Sequence, residues 1–197
     1  MEETSATPGA AAGVPARISA RAHISSLTHG QRLAAGYGAV LVVVASFARF
    51  GFSGHALVGS IFGAALVLLA VIDLDRRLIP DAIVLPALAA VLILQIAFYP
   101  HHTLEWVLAT LGAALFFFIP MLIYPAGMGM GDVKLAALLG AALGRSVAAA
   151  IILALLAGGA FALIVLAREG LGARRKAIAF GPFLALGGLV VFFLGGH

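Results

Sequence analysis

Uncharged apolar stretches recur along this chain at the length of a lipid bilayer: 33–48, 56–72, 82–99, 106–124, 146–167 and 177–196. Each approaches the roughly 20 residues with which an α-helix crosses about 30 Å of hydrocarbon. Hydrocarbon offers the backbone no hydrogen bonds, so segments of this length satisfy their own N–H and C=O groups by coiling into helices. A chain that is 63% hydrophobic and 10% charged lacks the polar residues to clothe a water-soluble domain. The expected fold class is all-α, a polytopic membrane helical bundle of about seven transmembrane helices, with six to eight allowed.

The seventh helix comes from the charge distribution. Residues 127–144 contain too short an uncharged run to span unless a helix begins near Gly131, carrying Asp132 at the membrane edge with Lys134 snorkelling outward. With that helix and an internal N-terminus, one side collects Arg17, Arg21, Arg32, Arg76, Arg77, Lys134, Arg168, Arg174, Arg175 and Lys176, leaving Arg49 and Arg145 opposite. Ten of the twelve basic residues then lie on the side that the positive-inside rule makes cytoplasmic. Residues 1–31, rich in Ala, Gly, Ser and Thr, read as a cytoplasmic tail, disordered or surface-associated; 32–197 read as one integral membrane domain. A cleaved signal peptide is not expected, because its apolar region would lie nearer Met1. The net charge of +4 is accounted for by topology and gives no reason to expect nucleic acid. The absence of cysteine removes disulfides and thiolate metal sites.

Two acidic groups meet the cytoplasmic surface in this topology. The first is "DLDRRLIPD" (73–81), between the second and third spans, and the second is Asp132 in "GMGMGDVKL" (127–135). Asp75, Arg76 and Arg77 read as a solvated loop. Pro80 suits the first turn of the third helix, and Asp81 there complements the helix dipole, so both are structural. Asp73 closes an apolar span and is explained by neither role. Asp132 follows Gly127, Gly129 and Gly131, which remove side-chain bulk at alternate positions and shape a small wet cavity, or else form a simple hinge. Lys134 either places substrate, tunes Asp132 or anchors its helix at the interface. Two aspartates converging on a water suit acid–base chemistry: at close range they share or retain a proton, so one takes a proton from water while the other donates to a carbonyl oxygen. His101 and His102 with Glu105 suggest a metal only weakly; solvated loop residues on the opposite face are the better reading, and neither metal nor cofactor is expected.

These stretches resemble those of the type IV prepilin peptidases, membrane aspartic proteases of the glycine-x-glycine-aspartate type. "DLDRRLIPD" is similar to the family's first motif, an aspartate seven positions before a proline that precedes Asp or Asn. "GMGMGDVKL" resembles the second motif, and "AFGPFLALG" (179–187) resembles a C-terminal block. The resemblance implies that Asp73 and Asp132 are the catalytic pair. It also implies a partner, the N-terminal segment of a prepilin or pseudopilin cut on the cytoplasmic side after a glycine. Many bacterial members carry an added cysteine-containing domain and N-methylate the product. This chain has no cysteine, so peptidase activity without methyltransferase activity is expected. Ala179 departs from a proline common in the family. Outside the resemblance, paired acids also fit a proton-coupled transporter subunit, disfavoured by the lack of internal repeats, or a catalytically silent subunit of a pilus assembly machine.

Overall fold

The computed structural model describes residues 27–123, 129–169 and 179–195. Among the described residues seven α-helices follow one another: α1 (His29–Phe50), α2 (Gly54–Arg76), α3 (Asp81–Phe98), α4 (Thr103–Ile123), α5 (Met130–Leu143), α6 (Val147–Glu169) and α7 (Gly181–Leu194). Single 3-10 turns at Pro100–His102 and Gly144–Ser146 complete the described elements, which include no strand. Arg17, Arg21, Gly127, Arg174, Arg175 and Lys176 lie outside the described residues.

Local chemistry sets the boundaries. Thr28 accepts from the Gln31 backbone N–H while the Gln31 side chain accepts from the Thr28 backbone, a reciprocal capping box that starts α1 at His29. This helix begins three residues before the boundary at 32 that the sequence suggests. Ser53 caps α2 by accepting from Ala56. Asp75 and Arg76, expected in a loop, belong to α2, which runs on to Arg76 and stops at Arg77 in the left-handed region (φ 52°). Pro80 stands one place before the first helical residue of α3, and its carbonyl accepts from Ile83 and Val84. The expectation put it inside the first turn; it is the N-cap instead, where φ −72° and ψ 127° suit a proline.

Successive helices run in opposite directions. Gln31 meets Asp75, and Lys134 meets Asp81, at one end of the bundle. At the other end Tyr99 bonds His55, Phe50 packs against Phe192 and Phe193, and Glu105 meets Arg145. Among the described residues five segments have the length and hydropathy to cross a membrane, one of them the 39-residue run Met130–Arg168 that the Gly144–Ser146 turn divides into α5 and α6. This is a multi-pass helical membrane protein. The expected seventh helix exists as α5, beginning at Met130, but its 14 residues rise only about 21 Å.

A short helix survives here because protein, not lipid, surrounds it. Every residue from Leu135 to Leu143 is buried, packed with Phe62, Leu66 and Leu69 of α2 and Leu184 of α7. The run "LAALLGAAL" is apolar on all sides, the signature of a central helix. Its small residues admit close neighbours: a Cβ on Gly140 would strike the Ala109 carbonyl of α4. Gln95 of α3 donates from Nε2 to the Ala142 carbonyl at 3.1 Å, satisfying an acceptor that the end of α5 leaves without a helical partner. The outer helices instead display apolar faces; on α1 these include Leu33, Tyr37, Val40, Leu41 and Val44. Such surface belongs against lipid.

Candidate active site

Asp73 lies one turn before the end of α2, and its residue is 5% exposed in a chain that buries few charges. Its burial is compensated from a distance in sequence. The Gly181 backbone N–H, at the start of α7, donates to Asp73 Oδ2 at 3.0 Å. The first N–H groups of a helix have no partner inside it, so a carboxylate placed there both satisfies a donor and meets the favourable end of the dipole. Gly181 is required by the closeness of this approach: a Cβ there would lie 2.6 Å from Oδ2. The Arg77 guanidinium also lies within electrostatic reach of Asp73.

Asp132 occupies the first turn of α5, and its backbone N–H donates to the Gly129 carbonyl at 3.1 Å. It is partly exposed and within electrostatic reach of the Asp73 carboxylate. Three helices thus contribute: α2 carries one acid, α5 carries the other within electrostatic reach of it, and the N-terminus of α7 bonds the first. Asp73 accepts from Gly181 at Oδ2 and, as a carboxylate, keeps further acceptor sites for a ligand or water.

The glycines before Asp132 separate once their surroundings are seen. A Cβ on Gly131 would come 2.7 Å from Ile79 Cβ, so this glycine lets α5 close upon the turn between α2 and α3. Gly129 has φ −86° and ψ 151°, accessible to any residue, and a Cβ there would meet only the Gly131 nitrogen at 3.8 Å. Gly127 lies outside the described residues.

Lys134, expected to snorkel outward, has a partner within the protein. Its Nζ donates to Asp81 Oδ1 at 2.6 Å, joining α5 to α3. Asp81 does occupy the first helical position of α3, where the dipole favours it, and it has this partner besides. Asp75 accepts from Gln31 Nε2 at 2.8 Å and sits 3.5 Å from Arg76 Nε on the exposed side of α2. No sequence signal connects Lys134 with Asp81 or Gln31 with Asp75, 53 and 44 positions apart. The Gly181–Asp73 bond was signalled only by the family-like block around "FGPF".

Glu105 lies at the far end of the bundle. Its Oε2 is 3.3 Å from His102 Nδ1 and 3.6 Å from Arg145 Nε, beside an open cavity of about 540 Å³ that His101 also lines. Among the described residues no three His, Asp or Glu side chains are grouped to hold a metal.

Residues 60–167, more than half of the chain, match the type IV leader peptidase family. The chain belongs to that family. Among relatives, it is 34% identical over 166 residues to the prepilin leader peptidase/N-methyltransferase of Xanthomonas campestris pv. campestris, covering 79% of this chain and 56% of the relative. The protein of the same description from Burkholderia pseudomallei is 33% identical over 156 residues, covering 76% and 50% respectively. That from Bacillus subtilis is 33% identical over 178 residues, covering 84% and 69%. The chain spans about half the length of the first two of these relatives. No solved structure matches it. The matched leader peptidase segment contains both aspartates, the Lys134–Asp81 pair and Gly131, while Gly181 lies beyond it.

Proposed function

We propose that this chain is a membrane-embedded aspartic endopeptidase that removes the N-terminal leader of type IV prepilins or pseudopilins at the cytoplasmic face of the cell membrane. The observation that carries the reading is the convergence of Asp73 and Asp132 from separate helices, in a chain of the type IV leader peptidase family. A water between them gives up a proton to the ionised carboxylate as its oxygen attacks the scissile carbonyl carbon. The protonated partner donates to the carbonyl oxygen. Collapse of the tetrahedral intermediate breaks the C–N bond, and the proton taken from water passes to the departing amine. The substrate's apolar helix lies in lipid, which brings its leader junction to the depth of the acids. Arg76, Arg77 and Lys134 cluster at the site's end of the bundle and Arg49 and Arg145 at the other, which supports a cytoplasmic site.

We propose no methyltransferase activity for this chain, whose 197 residues hold none of the cysteines that the family resemblance associates with it. The product of this chain acting alone is therefore a pilin with a free N-terminal amine. Co-expression with a prepilin, followed by gel shift, tests the dyad: Asp73→Asn and Asp132→Asn each stop leader removal, and Asp75→Asn does not. Cleavage by either of the first two variants would refute the assignment.

A further inference from the structure

The Lys134–Asp81 contact, 2.6 Å long, links the segments that carry the two aspartates. Lys134 follows Asp132 by two residues, and Asp81 follows Asp73 by eight. Two helical positions turn about 200° around the axis, so Lys134 leaves α5 on nearly the opposite side from Asp132. One side of α5 therefore carries Asp132, within electrostatic reach of Asp73 on α2, and the other is tied to Asp81 on α3. Between these, Gly131 rests against Ile79, buried in the turn that leads from α2 into α3. Rotation or sliding of α5 that moved Asp132 away from Asp73 would also pull Lys134 off Asp81.

Electrostatics favours the same assignment. A cation near a helix N-terminus opposes the dipole, and Lys134 lies in the second turn of α5. Asp81 offsets that penalty while sitting where the dipole of α3 favours an acid. The pair's side chains are 26% and 59% exposed, so its contribution to overall stability is small. What it fixes is register.

We propose that the Lys134–Asp81 ion pair is a positioning latch, setting the rotation of α5 so that Asp132 meets Asp73, and that neither of its members contacts substrate. The inference rests on the dyad reading above.

The test measures kcat and KM for leader removal by the purified protein in detergent. The variants are Asp81→Ala, Asp81→Asn, Lys134→Met, and the reversals Asp81→Lys and Lys134→Asp singly and as an exchange, alongside Asp73→Asn and Asp132→Asn. Asp81→Ala and Lys134→Met lower kcat about tenfold with KM within about twofold, because misplaced reacting groups lose rate without losing binding. Asp81→Asn, whose amide oxygen still accepts from the ammonium, recovers most of that loss, and the exchange outperforms either reversed residue alone. Asp81 is exposed enough for Asp81→Ala to decide the matter should Lys134→Met fail to accumulate. A raised KM at unchanged kcat would make Lys134 a substrate contact and overturn the latch. So would unchanged kinetics, or an exchange that melts like the parent yet recovers nothing. If Asp73→Asn or Asp132→Asn still cleaved, the dyad reading would fall and take the latch with it; inactive dyad variants beside normal Asp81 variants would sink the latch alone.

Discussion

Replacing Gly181 by alanine tests the architecture of the site without touching either acid. The new methyl would stand 2.6 Å from Asp73 Oδ2, 3.1 Å from Cγ and 3.3 Å from Cβ, all short of the 3.4 Å at which ordinary contact begins. Relief requires the carboxylate and the α7 N-terminus to separate by about 0.8 Å, the difference between 3.4 and 2.6 Å. The N–H···Oδ2 bond, 3.0 Å in the parent, then lengthens out of range. A hydrogen bond to a charged group contributes about 1.5–3 kcal/mol, which at 1.36 kcal/mol per decade is a loss of about 10- to 150-fold in kcat/KM. Leader removal by purified protein, followed by gel shift over time, reads that loss. Gly159→Ala on α6, where a Cβ meets nothing within 4 Å, is the matched control. Activity of Gly181→Ala within about twofold of the control would show that the α7 N-terminus does not orient Asp73, and the role derived from the 3.0 Å bond would be withdrawn.

Gly131→Ala drives a methyl into Ile79 Cβ and lowers leader removal more than Gly129→Ala, whose methyl finds open space; equal effects in the same gel-shift assay would contradict the packing. Phe62→Ala empties a fully buried position beside Phe192 and destabilises the bundle by about 3–5 kcal/mol, read as a lower melting temperature in detergent. Mass spectrometry of pilin matured by this chain alone finds an unmethylated N-terminus; a methylated one would reverse the expectation.

Much of the bundle is legible in the sequence because lipid imposes a length on each apolar run. The lengths 33–48 and 56–72 announce α1 and α2 with little reference to tertiary structure. α5 was legible only through the charge balance, since its burial by protein frees it from the length rule. Within the site, Asp73 and Asp132 stand out because their cost at the membrane edge has no topological explanation. Their supports do not stand out. Gly181 is one glycine among 24, and only its closeness to a carboxylate 108 positions earlier distinguishes it. Lys134 and Asp81 each have a sufficient local reading, as interfacial anchor and as dipole partner, which conceals the bond between them. Asp75, Arg76 and Arg77 read as a loop because charge density resembles loop composition, whereas the helix continues through Arg76 and is capped by a left-handed Arg77.

The dependence of Asp73 on Gly181 has a consequence in time. The acid leaves the ribosome 108 residues ahead of the donor that orients it. At translation rates of about 5–20 residues per second, that is an interval of about 5–20 s. During it, α2 is already made while the nascent protein lacks the backbone N–H that bonds Asp73 Oδ2. Asp73 therefore gains its Gly181 donor only with α7, after the other described helices have been synthesised.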